Sequence, residues 1–153
     1  MKTLRMIPAL ALAAGLAASQ ATAETVPSFA DLGRDPALTA AYRQLAAGAD
    51  LPGWLQDGAV TTPGQIVGFG GQEFVAVSAC RQHDCAAQRF AMLYDPETGA
   101  AFGLLSSVEG ETAEQLRWLG IGGGPESIDG RTILYAALTG SLANHPGAFS
   151  YPR

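Results

Sequence analysis

The sequence predicts an α+β domain: an antiparallel β-meander with a few helices packed against it and a disulfide-closed loop protruding from one end. Three observations carry that prediction. Between residues 65 and 107 the apolar residues fall in short β-prone runs separated by the turn sequences Gly70-Gly71 and Asp95-Pro96-Glu97-Thr98-Gly99. On either side of this region apolar residues recur at helical spacing. The chain's two cysteines, Cys80 and Cys85, lie at the junction of two β-prone runs with four residues between them, a spacing that allows the short Cα separation of a disulfide.

The first 23 residues set the compartment. Lys2 and Arg5 form a positively charged start, residues 6–18 an apolar run, and Ala21-Thr22-Ala23 a small-residue cleavage site. A run of 13 residues falls short of the roughly 20 that span a bilayer. Residues 1–23 are therefore expected to be a signal peptide cleaved after Ala23, and residues 24–153 a single periplasmic domain. That remainder is long enough to bury a core. Loss of Lys2 and Arg5 leaves seven basic residues, all arginine, against 14 acidic ones, a formal charge of −7. Such a charge repels nucleic-acid phosphates and anionic lipid surfaces and steers toward basic proteins. It also serves solubility whatever the partner.

In chain order, Asp35-Pro36 supplies an N-cap followed by proline at the first helical position, and Leu38, Ala41, Tyr42, Leu45 and Ala46 repeat at helical spacing up to Gly48. This helix should cover one face of the sheet. Leu51-Pro52-Gly53-Trp54-Leu55 predicts a compact turn with Trp54 buried, and residues 58–64 a loop in which Pro63 blocks strand pairing. Residues 65–69 and 72–79 predict a hairpin closed by Gly70-Gly71. In its second run Phe74 and Ala76 alternate with Val75 and Val77, so both faces are apolar and the strand should be central and covered on both sides. Residues 88–94 and 101–107 complete four strands, which places the cysteine loop and the Asp95 to Gly99 turn at opposite ends.

Thr112 and Gln115 have capping-box spacing ahead of Leu116, Trp118 and Leu119, predicting a short helix ended by Gly120. The cluster Gly122-Gly123-Gly124-Pro125 lacks the lysine and hydroxyl residue of a phosphate loop and reads as a turn. After Asp129-Gly130, the residues Ile133, Leu134, Ala137, Leu138 and Leu142 form a helical stripe over 131–142. The tail from Asn144 brings Phe149 and Tyr151 back onto the domain.

Chemistry-bearing residues gather in one stretch, Cys80, Arg81, Gln82, His83, Asp84 and Cys85. In an oxidising compartment the cysteines pair, which makes a stiff exposed tip carrying an imidazole. Other readings compete with a binding role. Structural zinc sites need four ligands at set spacings, and this cluster with His145 elsewhere does not supply them; no metal or cofactor is predicted. Thiol redox chemistry lacks a Cys-x-x-Cys spacing. A plain staple over so short a loop contributes on the order of 2 kcal/mol and asks nothing of His83. No enzyme is predicted: His83 and His145 are the two candidate bases, Ser141 and Ser150 lack a nucleophile-elbow context, and no carboxylate pair stands out. A bridge across a hairpin tip adds little stability but much local rigidity. Rigid exposed loops suit inhibition, because their ordering entropy is lost before binding.

The same residues resemble the Ivy family, periplasmic inhibitors of vertebrate (c-type) lysozyme. The stretch from Cys80 to Cys85 is similar to that family's Cys-Lys-Pro-His-Asp-Cys loop. Gln88-Arg89, Trp118-Leu119, Ser127-Ile128-Asp129-Gly130, the run from Ala136 to Leu142 and Asn144-His145-Pro146 also look like family segments. Matches in the right order extend from Thr62 to Tyr151. The resemblance implies an antiparallel sheet with packed helices, and inhibition by occlusion: His83 would enter the lysozyme cleft and hydrogen-bond its two catalytic carboxylates. It also gives the −7 charge a use, since c-type lysozymes are strongly basic. Asp84 would either contact the cleft or shape the loop. Arg81 and Gln82 depart from the family's Lys-Pro, which frees one φ angle and restores an N–H. The alternative partners are the cell's own lytic transglycosylases, and both monomer and homodimer fit the resemblance.

Overall fold

Asp35 opens the first helix, α1 (Pro36–Ala47): its carboxylate accepts the Leu38 N–H at 2.7 Å, and Pro36 takes the first helical position, where no N–H is needed. The computed structural model describes residues 25–122 and 126–151. The expected signal peptide, residues 1–23, and residues 123–125 of the expected glycine-proline turn lie outside the described residues. One face of α1, with Leu38, Ala41, Tyr42 and Leu45, is buried.

Six antiparallel strands follow: β1 (Ala59–Thr61), β2 (Gln65–Phe69), β3 (Gln72–Arg81), β4 (Gln88–Tyr94), β5 (Ala101–Ser107) and β6 (Gln115–Leu119). They form one sheet in the order β1-β3-β4-β5-β6, and β2 lies beside β1 along the same edge of β3. Gly70 and Gly71 both have positive φ, 61° and 78°, the two left-handed residues that a tight β2–β3 turn demands. At the other end of β4, the Asp95 carboxylate accepts the Glu97 N–H at 2.8 Å, the Thr98 N–H at 3.2 Å and the Thr98 hydroxyl at 2.6 Å. The Thr98 hydroxyl above all holds the Asp95 carboxyl below the usual carboxylate range, against the opposing effect of its burial.

β3 and β4 are the centre of the molecule, because their residues alternate between two apolar layers. Val75, Val77, Phe90, Met92 and Tyr94 face α1. Phe74, Ala76, Ala91 and Leu93 face the helix α2 (Glu126–Thr139) through Ile133, Leu134, Ala137 and Leu138. The double-sided apolarity of the 72–79 run thus has the predicted cause. A short α3 (Ser141–Asn144) and the tail complete the second layer, with Phe149 and Tyr151 packed there and Ser150 Oγ accepting the Gly68 N–H at 2.9 Å.

Four sequence expectations change. Residues 58–64 are not all loop: Ala59 to Thr61 pair with Ala79 to Arg81 as β1, and only Thr62 to Gly64 separate β1 from β2. Trp54 is partly exposed, and Leu55 is the side chain buried by the 3₁₀ turn Gly53–Leu55. The short helix expected around Leu116 is instead strand β6. The seven residues between Thr112 and Gly120 are too few to sustain a helix, whereas the free edge of β5 offers a register from Gly103 opposite Leu119 to Ser107 opposite Gln115. The Thr112 hydroxyl caps nothing and donates to the Glu109 carbonyl at 2.7 Å, closing a turn.

Finally, the helix expected over 131–142 begins earlier, at Glu126, and breaks at Gly140, which has φ 81°. It runs through Gly130 because a Cβ there would stand 2.8 Å from Ile121 Cδ1 and 3.1 Å from the Phe69 ring. The glycine lets helix and sheet approach closely, which outweighs its poor helix propensity of about 1 kcal/mol.

Candidate functional site

β3 ends at Arg81 and β4 begins at Gln88, so the residues singled out in the sequence form the turn between the two central strands. Cys80 and Cys85 are bridged with their Cα atoms 4.8 Å apart. The Asp84 N–H donates to the Arg81 carbonyl at 3.0 Å, closing a four-residue turn, and the Asp84 carbonyl in turn accepts the Ala87 and Gln88 N–H groups at 3.1 and 2.9 Å. His83 occupies the third position of that turn with φ 67° and is the one non-glycine residue with positive φ among those described. A left-handed third residue after a second residue of negative φ fits a type II turn. Histidine tolerates it at some steric cost.

All six predicted residues are therefore brought to one tip. Arg81, Gln82, His83 and Cys85 are exposed there, and Asp84 is half-buried. Among the described residues the His83 imidazole has no hydrogen-bond partner, so its nitrogens face solvent ready to engage an incoming group. Arg81 Nη1 and Asp84 Oδ2 stand 4.0 Å apart, with both side chains open to solvent, a separation at which a surface ion pair holds little. Asp84 shapes the loop chiefly through its backbone. His145 sits apart, between α3 and the tail, and no three of the described His, Cys, Asp and Glu side chains cluster tightly enough to share a metal ion.

The tip is tied on both flanks. On the β1 side the Gln82 N–H donates to the Gly58 carbonyl at 3.2 Å, and on the β5 side the Val108 N–H donates to the Ala87 carbonyl at 2.9 Å. Beneath it lies a polar group that the sequence reading did not single out. Arg89 Nη2 meets Glu114 Oε1 at 2.7 Å, the Ser106 hydroxyl donates to the same oxygen at 2.5 Å, and the Tyr135 hydroxyl donates to Oε2 at 3.3 Å. The signal available in the sequence was an arginine at the start of the otherwise apolar run Arg89-Phe90-Ala91-Met92-Leu93. A partly buried guanidinium requires an acceptor.

Residues 37–138, which include the whole bridged loop, match the family described as Inhibitor of vertebrate lysozyme (Ivy). The chain belongs to the Ivy family. It is 38% identical over 141 residues to the protein named Inhibitor of vertebrate lysozyme of Escherichia coli strain K12, an alignment covering 92% of this chain and 89% of that one. The protein of the same name in Escherichia coli O157:H7 is similar to the same extent. A third of that name, from Pseudomonas aeruginosa, is 29% identical over 115 residues, covering 74% of this chain and 75% of its own. The resemblance read from the Cys80 to Cys85 loop and the dispersed downstream segments is thus a family relationship over most of the chain. Within this Ivy-family chain the loop is the apex of the two central strands, and no helix among the described residues is long and apolar enough to cross a membrane.

Proposed function

We propose that the protein is a periplasmic inhibitor of c-type lysozyme that acts by placing the bridged Cys80–Cys85 loop in the enzyme's cleft, with His83 at its tip. The observation that carries this reading is the loop itself: a disulfide-closed turn whose apical imidazole is exposed and unpaired, in a chain of the Ivy family. Residues 1–23 would direct export and be removed after Ala23, leaving a domain of formal charge −7.

The chemistry is donor meeting acceptor. A glycosidase of this class works with a pair of carboxylates, and an imidazole offers one N–H when neutral and two when protonated. Donation to a carboxylate makes a short, charge-assisted hydrogen bond, about twice as strong as a neutral one. The left-handed turn at His83 and the bridge fix the direction in which the imidazole is presented, so its ordering entropy is largely lost before the encounter. The acidic surface steers the protein toward a basic enzyme, giving an association rate that falls with salt. Inhibition by occlusion requires no catalytic residue.

The test is lysozyme clearing of a cell-wall suspension with the purified protein in molar excess. Clearing should stop, and undiminished clearing would overturn the proposal.

A further inference from the structure

In the sheet register Cys80 lies directly opposite Arg89, and Arg89 directly opposite Ser106. Directly opposed side chains of an antiparallel sheet project from the same face. Cys80, Arg89 and Ser106 therefore form a row across the sheet at the loop end, on the face that α2 covers. Glu114, in the connection between β5 and β6, lies over this row. One of its oxygens takes Arg89 and the fully buried Ser106 hydroxyl, and the other takes Tyr135 from α2. Arg89 Nε is buried with no partner, so among the described residues Glu114 alone pairs this guanidinium.

We infer that the Glu114 carboxylate is a positioning residue for inhibition: through Arg89 it fixes the strand position opposite Cys80, and hence the orientation in which the bridged loop is presented. The inference rests on the loop-insertion reading above. Glu114 itself touches no partner in this account. It joins α2, the β5–β6 connection, β5 and β4 into one polar contact, and β4 passes that constraint to Cys80 and the turn beyond it. The disulfide closes the loop upon itself, but a closed ring can still tilt on its two strand ends. The Arg89–Glu114 pair and the Val108 N–H bond to the Ala87 carbonyl hold the β4 end. A carboxylate suits the task because a partly buried guanidinium that loses its acceptor draws in water or moves toward it, and either response shifts β4 where it faces the bridge.

The experiment compares the protein with its Glu114→Gln variant, which keeps size and one acceptor but removes the charge. Two quantities are read: the lysozyme inhibition constant, and amide hydrogen exchange at Ala87, Gln88 and Arg89 against Gly99 at the far turn. Expected are about tenfold weaker inhibition and about tenfold faster exchange at the loop end, one lost charge-assisted hydrogen bond's worth, with Gly99 unchanged. Ser106→Ala, which deletes one donor to the same oxygen, should change the same sites in the same direction by less. Unchanged loop-end exchange in both variants, or a rise that is equal at Gly99, would overturn the inference, because the second outcome is general destabilisation. If the unsubstituted protein fails to inhibit lysozyme, the functional proposal falls, while the exchange comparison still decides whether Glu114 orders the loop.

Discussion

Opening the Cys80–Cys85 bridge separates what the loop does for the fold from what it does for binding. The perturbation is the double variant Cys80→Ser with Cys85→Ser, or reduction of the native bridge. A ring of so few residues removes loop-closure entropy worth about 2 kcal/mol from the unfolded chain. For a domain of this size that is a fall of about 8 °C in the melting temperature. The fold itself survives, because β3 and β4 remain paired from Val75 opposite Tyr94 to Cys80 opposite Arg89 without help from the sulfurs.

Binding should suffer more than that register implies. Without the ring, Gln82 and His83 at the tip are free to move, and fixing each again on binding costs about 1–1.5 kcal/mol. The Asp84 to Arg81 bond and the Gln82 to Gly58 bond persist in part, so the loss should lie near 2–3 kcal/mol, roughly thirty- to hundredfold in the inhibition constant. The assay is inhibition of lysozyme by oxidised and bridge-free protein at a temperature well below both melting transitions. Bridge-free protein that inhibits within about threefold of the native form would refute the reasoning, since preordering of the tip would then contribute less than about 0.7 kcal/mol.

Further outcomes are expected elsewhere in the chain. His83→Gly should raise stability by about 0.5–1 kcal/mol, because a relieved left-handed strain of about 1–2 kcal/mol exceeds the added chain entropy of glycine. The same variant should lose inhibition by at least about a hundredfold, so unfolding and inhibition assays must move in opposite directions. Gly130→Ala should cost about 1–2 kcal/mol in urea unfolding, since overpacking against Phe69, itself stacked on Phe74 at 4.4 Å, outweighs the better helix propensity. Its inhibition constant should stay unchanged, because the clash lies at the end of the sheet opposite the bridged loop. Asp95, whose carboxyl is held below its usual range in the fold, contributes stability above the unfolded carboxylate pKa and loses it as pH falls through the folded value. Urea midpoints measured from neutral pH to well below about pH 4 should therefore fall more steeply for the native protein than for Asp95→Asn.

How much of this was legible in the sequence follows from the range of the interactions involved. α1 announced itself through Asp35-Pro36 because an N-cap acts within three residues, and the β2–β3 and β4–β5 turns did so through Gly70-Gly71 and Asp95 to Gly99 for the same reason. β6 was misread because its local signals, Thr112 and Gln115, suit a helix start, while the deciding factor is the vacant edge of β5, which no window around residue 116 contains. β1 was missed likewise: its three residues become a strand only because the last residues of β3 lie beside them. The loop residues themselves were all legible, since ring closure, turn and exposed histidine sit within six consecutive positions. Glu114 was not, because its partners Arg89, Ser106 and Tyr135 are 25, 8 and 21 residues away.

Gln82 shows how such a distant contact can stand in for a local one. In the family's loop sequence a proline occupies this place, the second position of a turn that His83 completes with a left-handed φ, and proline there presets the turn. Replacing it frees a φ angle, which loosens the unbound tip by about 0.4–1 kcal/mol. The backbone N–H that glutamine restores does not go unused, for it donates to the Gly58 carbonyl at the entrance to β1, a hydrogen bond worth about 0.5–1.5 kcal/mol. The two effects are of similar size and opposite sign, so this chain keeps an ordered tip by tying it to the neighbouring edge strand. Order that a proline would supply within the loop thus depends here on residues 58–61, and the three-residue strand β1 becomes part of what presents His83.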